Sequence, residues 1–328
     1  MSTHTIVVTG AAGFIGSHVC EALLRRGDRV VGYDNFDPYY DESLKRANVG
    51  EVMQTASSVG GSFELIEADL CDAEAMGRAM DGATGVIHLA AKAGVRPSIE
   101  DPAGYARANV LGTQVVLSSA SDAGLRWAAC ASSSSVYGNN EKVPFAETDS
   151  VEHPISPYAA TKRSCELIGE THHRLTGLPV AMLRFFTVFG PRQRPDLAIN
   201  LFLRRVGAGE PIRMFGDGST SRDYTFIDDI VAGVLASSER IGEHGYRIWN
   251  LGGEHPATLK EMIATVGEVV GREPIVQREG MQPGDVDRTW ADLERAKAEL
   301  GFSPTTSLKD GMARQWEWMK ACGVVAAG

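Results

Sequence analysis

No apolar run in this 328-residue chain approaches the roughly 20 residues that a membrane span needs, and the N-terminus has no signal-peptide pattern. The five cysteines (Cys20, Cys71, Cys130, Cys165 and Cys322) are odd in number, scattered, and nowhere spaced Cys-x-x-Cys. They exclude a disulfide framework and point to reduced thiols in the cytoplasm. The eight histidines form no His-Glu-x-x-His motif, and the adjacent His172 and His173 point to different helix faces, so no metal is expected. Basic excess is missing too. A formal charge of −10 argues against nucleic acid as a partner but is compatible with a small anion held by a few local arginines. Low-complexity linkers and repeats are absent. What remains is ordinary globular composition, with 43% hydrophobic and 23% charged residues in one large domain or two intertwined ones.

The first 36 residues read as strand, glycine turn, helix and second strand. Ile6-Val7-Val8 is a β-branched run suited to a buried parallel strand. Gly10, Gly13 and Gly16 follow as G-x-x-G-x-x-G: the first permits a tight turn, the second close approach of a pyrophosphate, and the third helix packing on the strand. Ile15, Val19 and Leu23 recur every four residues on a helix ending at Gly27. Val30–Asp34 then ends in an acid, which suits the hydroxyls of an adenosine ribose, repels a 2′-phosphate, and so favours NAD over NADP.

Further strands are expected at 63–67, 85–90, 127–132, 180–185 and 246–251, separated by helices. This alternation predicts an α/β, Rossmann-type doubly wound parallel sheet. Asp69, before Leu70, reads either as a reader of the adenine amino group or as a helix N-cap. Ala90-Ala91-Lys92 offers small residues at a strand end where a cofactor passes. An amphipathic helix over 303–320 should bury Met312 and Trp316.

Chemistry concentrates in ASSSSVYG (131–138) and SPYAATKRS (156–164). Tyr158 and Lys162 lie one helical turn apart on one face. An ammonium there lowers a tyrosine pKa and makes its phenolate a general base for hydride chemistry on an alcohol. Ser133 and Ser135 share one face of an extended strand, so either could reach the same oxygen. In RFFTVFGPRQRPDLA (184–198), Arg192 and Arg194 flank Gln193 beyond a strand's carboxyl end. A guanidinium there can take a carboxylate with two parallel hydrogen bonds.

Together with HLAAKAGV, NVLGT, RDYTFIDDI and PGDVDRTWAD, these blocks resemble the extended short-chain dehydrogenase/reductase family from about residue 4 to residue 312. Within it the chain is most similar to nucleotide-sugar epimerases, specifically the UDP-glucuronate 4-epimerases. The resemblance implies Tyr158 as catalytic base and acid, Lys162 on the nicotinamide ribose, and Ser133 with Ser135 at the sugar oxygen. It implies NAD held by Gly10, Gly13, Phe14, Ile15, Gly16, Asp34, Asn35, Asp69, Leu70, Ala90, Ala91, Lys92, Asn109, Tyr158, Lys162 and Phe185, with Asn109 in a supporting role. Related dehydratases carry an Asp-Glu pair before the VYG and decarboxylases a glutamate; Ser134-Ser135 offers neither, which favours oxidation and re-reduction at one carbon.

The implied substrate contacts are Thr187 and Arg194 on a uronic carboxylate, with Arg192 in reserve and Arg96 as a further contact. Met214 and Phe215 would sandwich uracil, Asp285 would take the uridine ribose, and Arg213, Arg222 and Arg288 would serve the UDP. Gln282 departs from the arginine that several epimerases place before PGD. The implied reaction is reversible conversion of UDP-glucuronate to UDP-galacturonate. The alternatives are a 4-epimerase of UDP-glucose or UDP-N-acetylglucosamine, a UDP-glucuronate decarboxylase, and a non-catalytic NAD-binding sensor. NAD is expected on residues 1–186 and 227–252 and the UDP-sugar on 187–226 and 253–328, in a homodimer paired through helices near 102–122 and 157–175.

Overall fold

Alternating β-branched runs and amphipathic helices organise the computed structural model, which describes residues 4–280 and 286–325. The strands are β1 (Thr5–Thr9), β2 (Arg29–Asp34), β3 (Phe63–Glu67), β4 (Gly85–His88), β5 (Ala128–Ser133) and β6 (Val180–Phe185). Then come β7 (Thr187–Phe189), β8 (Ile212–Phe215), β9 (Ser221–Phe226), β10 (Tyr246–Leu251), β11 (Pro256–Thr258) and β12 (Val276–Glu279). Seven of them form one parallel sheet in the order β10-β6-β5-β4-β1-β2-β3. The chain lays down β1 to β3 in one direction and β4 onward in the other, so the order reverses between β1 and β4. Ligands bind at such a reversal, beyond the carboxyl ends of the strands.

Both faces of the sheet are covered, which is why its strands are apolar throughout. Ile6 and Val8 join the larger core layer, while Val7 joins the opposite layer with Val31, Val86 and Met182. β4 ends two residues before the expected Ala90, and β5 begins and ends one residue later than expected. Beyond β6, a three-stranded sheet (β11-β9-β7) and a two-stranded one (β12-β8) flank the carboxyl-end side. The last helix, Leu308–Ala321, starts later than 303 because Ser307 caps it by accepting from the Asp310 amide (3.1 Å); Met312 and Trp316 are buried as expected. No described helix is long and apolar enough to cross a membrane.

The expected helix near 102–122 is a continuous helical run interrupted by a π-turn over Ala106–Leu111. The wider turn accompanies an inward-facing Asn109. Its amide bonds Lys92 O (3.0 Å) and Thr161 Oγ1 (3.0 Å), and its carbonyl accepts from Lys92 N (2.8 Å).

Candidate active site

The cleft opens where the sheet reverses, and its floor is the glycine turn. Gly10 has φ +73°, and a Cβ there would lie 2.8 Å from Ala90 N. At Gly16 a Cβ would lie 2.0 Å from Gly10 O, so the helix Phe14–Arg26 reaches the turn only without a side chain. Gly10, Gly13, Phe14, Ile15, Gly16, Asp34, Asn35, Asp69, Leu70, Ala90, Ala91, Lys92 and Phe185 all line this cleft. Asp34 accepts from Ala12 N (3.0 Å) and Phe36 N (2.8 Å), tying the turn to the end of β2. Its burial raises the carboxyl pKa, against the pull of those two amides. The fit to a dinucleotide rests on this cradle, which one methyl would fill, beside an acid at the end of β2.

Two readings change here. Asp69 is not the helix cap. It accepts from Cys71 N (2.9 Å) and Arg107 Nη2 (3.1 Å), while Asp72 caps the helix Ala73–Met80. Asn109, grouped above with the cofactor contacts, is 1% exposed and does not line the cleft; it holds the backbone of Lys92, which does.

Tyr158 and Lys162 project into the same cleft from the helix Pro157–Thr176, capped by Ser156. Lys162 Nζ donates to Ala131 O at 2.8 Å, which fixes the ammonium against β5. The Tyr158 ring meets Tyr105 edge-on, centroids 6.3 Å apart. Ser133 Oγ donates to Ser135 Oγ (3.1 Å), and Ser135 N donates to Ser133 Oγ (3.1 Å). The hydroxyls do not meet by strand alternation as expected. β5 ends at Ser133, and Ser134–Tyr137 is a 3₁₀ turn that folds Ser135 back. Ser133 lines the main cleft and Ser135 a smaller adjoining cavity.

Thr187 lines both cavities. Arg194 lines the main cleft, where its Nε and Nη2 bind Asp196 Oδ1 and Oδ2 at 3.0 and 2.8 Å. Burial opposes its charge, but Asp196 outweighs it and raises the pKa. Arg192 does not reach the cleft. It adopts φ +65°, and its guanidinium is buried against Glu21 and Glu51 behind the glycine helix. Arg96 and Arg222 line the smaller cavity.

Met214 and Phe215 cannot sandwich one ring, because strand alternation sends Met214 into the core and Phe215 to the other face of β8. Arg96 and Arg213 stand over Phe215, at 5.5 and 5.8 Å from its centroid. Arg213 is exposed and 3.7 Å from Glu279, and Arg288 is exposed and donates to Glu141 O (2.6 Å); neither is among the residues lining the main cleft or the smaller cavity beside it. Asp285 and Gln282 lie outside the described residues.

Sequence reading missed three groups. Tyr39 and Tyr40 line the cleft from the loop after β2, and the pair of aromatics in a loop is itself the signal. Asp196 is the counter-ion of Arg194, two residues along. Glu166 continues the helical face of Tyr158 and Lys162 by another turn and accepts from Ser132 Oγ (2.7 Å), next to Ser133.

A model of the NAD dependent epimerase/dehydratase family matches residues 6–252. The UDP-glucuronate 4-epimerase of Thermodesulfobacterium geofontis is 38% identical, covering 96% of this chain and 95% of its own. The Bacillus cereus UDP-glucuronic acid 4-epimerase, solved with UDP-glucuronic acid and NAD, superposes with TM-score 0.90 at 35% identity, over 97% of this chain and 99% of its own. A UDP-glucose 4-epimerase from Thermotoga maritima, solved with UDP-glucose, gives TM-score 0.87 at 32% identity, covering 97% of this chain and 99% of that one.

Proposed function

The chain belongs to the NAD-dependent epimerase/dehydratase family, and from that premise we propose that it is a UDP-glucuronate 4-epimerase, an isomerase that interconverts UDP-glucuronate and UDP-galacturonate. NAD, when bound, takes a hydride from sugar carbon 4 and returns it to the opposite face. The glycine turn, Asp34, Ala90, Ala91 and Lys162 would hold it. Tyr158 removes the 4-hydroxyl proton and later gives it back, with Ser133 hydrogen bonding the same oxygen. Lys162, pinned by Ala131 O, keeps positive charge beside the phenolate. Thr187 and Arg194 take the carboxylate, and Arg96 and Arg222 serve the UDP from the smaller cavity.

The observation that carries this reading is Arg194 and Thr187 on the same cleft as Tyr158 and Ser133. Ser134 and Ser135 stand where a dehydratase or decarboxylase needs carboxylates, which supports simple epimerisation. We read residues 1–186 and 227–252 as the cofactor part and 187–226 and 253–328 as the sugar-nucleotide part. The former contain all seven strands of the main sheet. A homodimer is supported by exposed Leu111 and Leu167 on the two helices expected to pair, and a cytoplasmic location by five free cysteines.

Purified protein given UDP-glucuronate without added cofactor should form UDP-galacturonate, read by anion-exchange chromatography or NMR. Conversion of UDP-glucose alone, or evolution of carbon dioxide, would replace this reading.

A further inference from the structure

Arg194 is where a uronic acid and a neutral hexose would be told apart, and its charge is not free. Nε and Nη2, one whole edge of the fork, are engaged by Asp196. Tyr39 closes over the pair: its hydroxyl lies 3.4 Å from Asp196 Oδ2, and its ring centroid 5.0 Å from the guanidinium carbon. Nη1 has no protein partner among the described residues. The Arg194 side chain is 16% exposed and lines the same cleft as Tyr158.

The loop itself does not depend on Asp196. Gln193 donates to Val188 O (3.0 Å) and accepts from Asn200 N (3.1 Å) and Gln315 Nε2 (2.9 Å), while Arg192 is locked to Glu21 and Glu51. Asp196, with 42% of its side chain exposed, reaches in from the rim. Its carboxylate therefore acts on the charge of Arg194 and not on the frame that carries it.

We propose that Asp196 is a specificity-determining residue, an internal carboxylate that stands in for the sugar's own and sets how strongly the site prefers acidic over neutral UDP-sugars. With Asp196 in place, a neutral hexose binds without leaving a largely buried guanidinium unpaired. A uronate must share the fork with a like charge or displace it. Discrimination depends on the difference between the two cases, and Asp196 narrows that difference from both sides. This rests on the reading of Arg194 given above.

Asp196→Asn keeps the shape and removes the charge. The ratio of kcat/KM for UDP-glucuronate over UDP-glucose should rise about tenfold or more, as expected for a charge-assisted contact. The change should come through a lower KM for the acid at similar kcat, and it should vanish in an Arg194→Ala background. A ratio that is unchanged or falls overturns the proposal. Calorimetric affinities for both sugars, measured on NAD-loaded Tyr158→Phe with and without Asp196→Asn, read the same ratio without turnover. If the unaltered protein binds both sugars but does not epimerise the acid, the functional reading fails while the affinity ratio still decides the role of Asp196.

Discussion

Glu166 and Arg184 meet fork to fork one layer below Ser133, with Nε to Oε1 at 2.8 Å and Nη2 to Oε2 at 2.9 Å, and neither side chain is more than 1% exposed. Arg163 and Ser132 complete the shell of Glu166. Burial works against its ionisation, yet the bonds from Arg184 keep its pKa below the usual value. Removing one partner leaves a buried, uncompensated charge, which costs about 3–5 kcal/mol, whereas two apolar residues of similar volume are often tolerated. Glu166→Gln should therefore destabilise strongly, and Glu166→Met with Arg184→Met much less, as read by urea unfolding. Equal losses would show that the pair's charge is not what matters.

Gly16→Ala tests the glycine cradle. The added methyl would meet Gly10 O at 2.0 Å, a backbone atom that cannot swing aside. The helix must lift off the turn, so the variant should lose at least about 2 kcal/mol of stability and most of its NAD affinity. Retention of bound NAD after dialysis, measured by chromatography of the released nucleotide, checks this.

Arg194→Ala should lower kcat/KM for the acidic sugar at least about tenfold, the usual scale of a lost charge-assisted contact, with little effect on a neutral one. The 4-keto form of a uronic acid is a β-keto acid and sheds carbon dioxide unless its carboxylate is held near the ring plane. The variant should consequently release some UDP-pentose. A variant that stays selective and releases none would remove Arg194 from both roles.

His88 lies between Thr9 Oγ1 (2.7 Å) and Thr113 Oγ1 (3.1 Å) on β4, with no carboxylate among these partners. Burial, helped by the nearby Lys162 charge, lowers its pKa to about 3. A base whose folded pKa is depressed contributes stability that is full above its unfolded pKa, near 6.5, and drains away as pH falls toward 3. NMR of the ring should show neutral imidazole from pH 7.5 to 5. A midpoint near 6.5 would contradict the burial.

The glycine turn, Asp34 and the Tyr158–Lys162 face were legible because each is local: a strand, a turn and one helical turn carry the whole signal. Arg192 was not, because its left-handed backbone and its partners Glu21 and Glu51 come from segments far apart in sequence. The π-turn that faces Asn109 inward has no sequence period of its own. The error at Met214 and Phe215 is of another kind, since strand alternation already forbids neighbouring residues from sharing a face.

Residue 180 lies against residue 246, so β6 receives its outer neighbour only after β7, β8 and β9 of the two small sheets have been made. During synthesis the segment carrying Thr187 and Arg194 emerges before the strand that closes the main sheet behind it. Parallel pairing of such separated segments is slow to form. A ribosome-held chain ending before β10 should therefore expose the flank of β6 to proteases and chaperones, which ties the last steps of folding to release of the C-terminal third.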